Sequence, residues 1–155
     1  MADSDTGKRV VIKIGTGVLT RGAGGEIHHA MLARLSQAIA DVNAAGHEVI
    51  LVTSGAVGAG LSTFGLEDRP TEIEMLQACA AAGQARLMHL YGTQFDHYGL
   101  NVAQLLVTHD DLTDDRRSEN VLSTLNSLFP HHHVIPIVNE NDSVSVFELK
   151  VGDND

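Results

Sequence analysis

Val49-Ile50-Leu51-Val52-Thr53-Ser54-Gly55-Ala56 is the stretch on which the fold class turns. It opens on aliphatic residues, mostly β-branched, which favour a strand, and they are apolar at successive rather than alternate positions. That is the pattern of a strand covered on both faces. Working outward, the same grammar recurs. Arg9–Ile14 is a Val/Ile-rich run closed by Gly15, and Asn101–Val107 and Val134–Val138 are two more runs of this kind. Between them the apolar period becomes helical. Leu32, Leu35, Ile39 and Val42 predict a helix that stops near Gly46. Thr71–Tyr98 predicts a long one, with Thr71 and Glu74 spaced as a capping box. Glu119–Phe129 predicts a third, ended by Pro130. Ala56–Leu61 reads as a short helix, Phe64–Pro70 and His109–Arg117 as loops, and Val144, Val146, Leu149 and Val151 as one or two extended arms. Strands alternating with helices predict an α/β domain whose parallel sheet is covered on both faces.

The 155 residues suit one domain or a large piece of one. A net charge of −10 argues against a nucleic-acid binder, which needs a basic face. Residues 1–8 are polar and read as a disordered tail without the apolar core of a signal peptide. No apolar run approaches the ~20 residues of a membrane-spanning helix, so no membrane partner and a cytoplasmic location are expected. The single cysteine, Cys79, excludes an intramolecular disulfide and sits in an apolar stretch, as a small buried hydrophobe does.

In open α/β sheets ligands bind beyond the carboxyl ends of the strands, so those ends carry the functional reading. Lys13 lies at the end of the first run, before Gly15-Thr16-Gly17. Desolvation makes a strand lysine costly unless it faces an anion, and glycines let the backbone N–H groups approach a phosphate. An edge-strand lysine that reaches solvent is the alternative. The segment is not a P-loop, because no Gly-Lys-Ser/Thr follows. Nor is it a dinucleotide fingerprint, because Thr20 occupies the third glycine position. Ser54-Gly55-Ala56 offers a hydroxyl and backbone N–H groups to a carboxylate, or simply a helix cap. Val52 excludes a Gly-x-Ser-x-Gly nucleophile elbow. Asn139-Glu140-Asn141-Asp142 gathers oxygen acceptors for an ammonium or a magnesium-bound water, or forms a polar turn. Lys150-Val151-Gly152-Asp153-Asn154-Asp155 reads as a turn or a helix start. His131-His132-His133 is adjacent rather than convergent and predicts no structural metal.

Six segments in this order resemble the glutamate 5-kinase branch of the amino acid kinase family. They are Val11–Thr16, Val52–Val57, Ala80–Gln84, Gln104–Thr108, Ile137–Asp142 and Lys150–Asp155. The resemblance implies a three-layer αβα sandwich with a mostly parallel sheet. It also implies transfer of the ATP γ-phosphate to the side-chain carboxylate of L-glutamate, with Mg²⁺, at the start of proline synthesis. It puts Ser54, Asp142 and Asn154 on glutamate, with Gly55, Ala56 and Asn139 beside them. Lys13 is implied at the phosphates as the catalytic cation, with Gly15, Thr16 and Gly17 around it. Gly17 stands where the family often has a serine. Most adenine and ribose contacts are implied beyond Asp155. Residues 9–155 are therefore expected to be the glutamate-binding amino-terminal part of the domain, truncated at its C-terminal side and inactive alone. Proline as feedback inhibitor and a homo-oligomer are further expectations. Two other readings stay open: another amino acid kinase, or a non-catalytic glutamate- or proline-binding module.

Overall fold

The computed structural model describes residues 7–21 and 26–145. The elements run β1 (Arg9–Lys13), α1 (Thr16–Leu19), β2 (Thr20–Arg21), β3 (Glu26–Ile27), α2 (His29–Ala44), β4 (Glu48–Val52), α3 (Ala56–Gly60), α4 (Ile73–Asp96), β5 (Asn101–Val107), α5 (His109–Thr113), α6 (Asp115–Leu128) and β6 (Val134–Glu140). Among the described residues the main sheet has four strands in the order β1-β4-β6-β5, all parallel, and β2 and β3 form a small antiparallel ribbon. The last strand thus inserts between β4 and β5. β4 pairs with β6 only from Ile137 onward, so Pro136, which has no N–H, precedes that ladder.

Pleating divides the strand residues between two apolar layers. Val49, Leu51, Ile135 and Ile137 pack with Leu32 and Ile39 of α2 and with Leu87, Tyr91 and Phe95 of α4. Ile50, Val52, Leu105 and Val138 face Val121, Leu125 and Phe129 of the α6 side. The result is the three-layer αβα arrangement. Arg9 spans the edge, pairing with Glu48 at 2.9 Å and lying 3.9 Å over the Phe129 ring.

Helix α3 lies directly on α4, backbone to backbone. A Cβ placed on Gly83 would sit 1.8 Å from the Ala56 carbonyl oxygen, and one on Gly60 would sit 1.9 Å from that of Cys79. No other residue type allows this separation.

Several expectations are corrected. His109–Arg117 is not a loop. Thr108 and Asp111 form a capping box that starts α5, and Asp114 caps α6, which begins four residues before the expected Glu119. The box expected at Thr71 and Glu74 is absent, since α4 starts at Ile73 with Glu72 at its N-cap and no side-chain cap bond. Lys8, expected in the tail, already accepts the Glu48 N–H at its carbonyl and donates its own N–H to His47. Val144 lies in a turn, its N–H on the Asn141 carbonyl. The rest of the expected arms, and the Lys150–Asp155 run with Asn154, lie outside the described residues.

Candidate active site

The strand order brings the ends of β1, β4 and β6 side by side. Lys13 pairs in register with Val52, and Val52 with Val138. Past these positions the chain turns twice at the same edge of the sheet. The first turn, Gly15-Thr16, is tied to the second, Ser54-Gly55. The Ser54 hydroxyl lies 3.1 Å from Thr16 Oγ1 and 3.2 Å from the Ile14 carbonyl, to which it donates. Gly55 has φ +90°, a left-handed conformation that glycine adopts without strain, and this turns the chain into α3 across the three residues that follow β4. Ser54 is therefore not the helix cap; Gly55 occupies that position.

Tyr91 of α4 supports the turn from below. Its ring is fully buried, and its hydroxyl lies 2.9 Å from Thr53 Oγ1. Burial pushes the Tyr91 pKa up to about 12, with the Thr53 hydrogen bond acting the other way. Cys79, fully buried, has its thiol pushed up chiefly by desolvation, against the pull of Arg69. A thiol in that state is a core residue and not a nucleophile.

A cavity of about 290 Å³ opens at the carboxyl ends of β5 and β6 under α4. That is the low end of the range for small-molecule sites. Ala56, Ala80, Ala81 and Ala85 give it small apolar walls. Gln84, Gln104, Glu140, Asn141, Asp142 and Ser143 supply its polar groups. Asp142 is buried, and the Ser145 hydroxyl donates to Glu140. Three amides form a chain that runs from Asn139, behind the wall, to Gln84 and Gln104 in it. The Glu140 N–H donates to Asn139 Oδ1 at 2.9 Å, Asn139 Nδ2 to Gln84 Oε1 at 2.8 Å, and Gln84 Nε2 to Gln104 Oε1 at 2.7 Å.

The expected site residues divide accordingly. Asp142 and Ala56 line the cavity, and Ser54 and Gly55 form the turn one residue before it. Asn139 is buried behind the wall, its amide engaged with Gln84 and Glu140. Lys13 is exposed on the edge strand β1, as the solvent-reaching alternative expects, yet its backbone ends at the Gly15–Gly17 turn. Cβ atoms on Gly15 or Gly17 would meet nothing within 4 Å, so that turn faces open space. Glu140 belongs to the strand-end run that the sequence points to, whereas Gln84 and Gln104 carry no site role there. The signal was there: Gln84 interrupts an alanine-rich helix face and Gln104 an apolar strand, and a polar group in such company needs a partner or a ligand.

The chain is a member of the amino acid kinase family, whose sequence profile matches residues 8–155. Within it, the glutamate 5-kinases of Geobacter sp. (strain M21) and Symbiobacterium thermophilum are each 49% identical over 148 residues, 96% of this chain. The chain spans 39% of the length of the first and 56% of the second. A Giardia carbamate kinase structure superposes with a TM-score of 0.53 at 16% identity, covering 86% of this chain and 60% of that one, and shows the same fold. Among the described residues no helix is long and apolar enough to cross a membrane.

Proposed function

We propose that the intact protein phosphorylates the side-chain carboxylate of L-glutamate with ATP, and that this chain supplies the amino-acid site. The supporting observation is the cavity in which Asp142 and Glu140 meet the amides of Gln84 and Gln104, one residue past the Ser54–Gly55 turn. Such a mixture of carboxylates and neutral donors suits a zwitterion better than a simple anion. Asp142 takes the ammonium. The Ser54 hydroxyl turns from the Ile14 carbonyl to a carboxylate, which the backbone N–H groups of Gly55 and Ala56 also take, and Asn154 adds a further glutamate contact.

Transfer needs no general base, because a glutamate carboxylate is already ionised at neutral pH. A side-chain oxygen attacks the γ-phosphorus, the bond to the β-phosphate oxygen breaks, and ADP leaves with the electron pair. Catalysis then reduces to aligning two anions and balancing their charge. The Lys13 ammonium and the backbone N–H groups of the open turn at Gly15, Thr16 and Gly17 are a donor set that fits phosphoryl oxygens, while the Thr16 hydroxyl donates to Ser54. Mg²⁺ carried with the nucleotide supplies additional charge neutralisation. A cytoplasmic homo-oligomer, with proline competing for the same carboxylate and ammonium subsites, completes the reading.

The test is ATP-dependent formation of γ-glutamyl hydroxamate when the intact protein is given L-glutamate and hydroxylamine. Product with L-glutamate, strongly reduced in Asp142→Asn, supports the assignment. Phosphorylation of carbamate or another carboxylate, with glutamate inert, rejects it.

A further inference from the structure

The amide chain behind the cavity has a fixed direction. A backbone N–H can only donate, so the Glu140 N–H at 2.9 Å requires Asn139 to present its oxygen there. Its Nδ2 must then be the group 2.8 Å from Gln84, which receives it on Oε1. Gln84 is left to donate from Nε2 to Gln104 Oε1 at 2.7 Å. Each amide has one acceptor end and one donor end, so an orientation set at Glu140 passes through two buried links to a cavity-lining side chain. Gln104 is the exposed terminus. Its oxygen is used, and its NH₂ remains to donate to the occupant of the cavity.

We infer that Asn139 and Gln84 are positioning residues that lock the Gln104 NH₂ as a donor, and that Gln104 thereby selects a carboxylate at one end of the amino-acid substrate. The inference deepens the proposed function and rests on it, since it presupposes a glutamate-like ligand in this cavity. Its physical basis is the asymmetry of hydrogen bonding. A site built to donate rejects a ligand that also donates there, because two N–H groups then face each other unpaired.

L-Glutamate and its α-amide, in which the α-carboxylate becomes a carboxamide, are the probes, with dissociation constants measured by calorimetry on the intact protein. Gln104→Glu replaces the donor by an acceptor at an exposed position and keeps an oxygen for Gln84 Nε2. It is expected to weaken glutamate by about 10- to 100-fold and to spare the α-amide, shifting the ratio of the two constants by at least about tenfold. Asn139→Asp leaves Gln104 itself unaltered. A carboxylate at position 139 only accepts, so Gln84 must turn its NH₂ inward and its oxygen toward Gln104, whose NH₂ is then consumed. The ratio is expected to shift in the same direction, which a merely structural role would not produce. Gln84→Glu imposes the same reversal from the next link and stands in if Asn139→Asp does not fold. An unchanged ratio in Gln104→Glu, or equal losses for both ligands in the folded relay variants, would overturn the inference while leaving glutamate binding intact. No glutamate binding by the unaltered protein would instead remove the proposed function, and this inference with it.

Discussion

Helix α4 contains two glycines whose replacement by alanine should act in opposite directions. At Gly83 the new methyl would lie 1.8 Å from the Ala56 carbonyl oxygen and 2.6 Å from the Gly60 nitrogen. A carbon–oxygen contact needs ~3.3 Å, so α3 must withdraw by about 1.5 Å. The obstacle is backbone and cannot rotate away. The cost therefore falls at the upper end of the range for overpacking, ~3 kcal/mol. Alanine returns ~1 kcal/mol of helix propensity, leaving a net loss of ~2 kcal/mol, or roughly 4–8 °C in Tm for a domain of this size. At Gly92 the methyl would meet only Val102 Cγ2, at 3.9 Å, an ordinary contact. The propensity term then stands alone, and Gly92→Ala should stabilise by ~0.5–1 kcal/mol. Ala56 lines the cavity, so Gly83→Ala should also weaken glutamate binding, while Gly92→Ala should leave it unchanged. Thermal denaturation and glutamate calorimetry on the two variants read out both effects. A Tm for Gly83→Ala at or above that of the unaltered protein would refute the close helix crossing and the account built on it.

Three further outcomes are expected. Lys13→Ala should lower hydroxamate formation by the intact protein about 10²–10³-fold, the usual loss of one preorganised electrostatic donor, with little change in Tm because the side chain is exposed; a large Tm loss with turnover intact would make Lys13 structural. The Tyr91 hydroxyl, raised from 10.0 to about 12, stays neutral in the folded state while the unfolded chain ionises. Its contribution is complete below pH 10 and is lost between pH 10 and 12, at no more than ~1.4 kcal/mol per pH unit. Denaturant titrations across that window should therefore fall less steeply for Tyr91→Phe. Asp111 is depressed below 3.8, first by the Thr108 hydroxyl and then by the Thr108 N–H, so its cap contributes above pH 3.8 and is lost as pH falls through the lower folded value. Asp111→Asn should destabilise at pH 7, and that loss should shrink as the pH falls through the lowered folded value; no loss at pH 7 would remove the capping box from the folded-state account.

Residue order alone carries the local grammar of this chain. Continuous apolar runs at 9–14, 49–53, 101–107 and 134–138 mark the strands of a covered sheet, although only the central β4 and β6 are largely buried and Val11 on the edge strand β1 is 61% exposed; Gly46, with φ +88°, stops α2 where the apolar period ends. The strand-end residues Ser54 and Asp142 were legible for the same reason, since parallel sheets put chemistry at the carboxyl edge. Short capping signals were not decisive. Thr71 with Glu74 and Thr108 with Asp111 carry almost the same pattern, and only the second forms a box, because a bond worth about 1 kcal/mol yields to where the long helix packs. The tertiary structure alone decided that β6 enters between β4 and β5, that Gly60 and Gly83 let two helices touch, and that Gln84, Gln104 and Asn139 form one directed chain. Each of these joins positions far apart in the sequence. Hydrogen-bond direction and backbone clearance depend on separations of a few ångströms, which residue type and spacing do not encode until the layers have closed on one another.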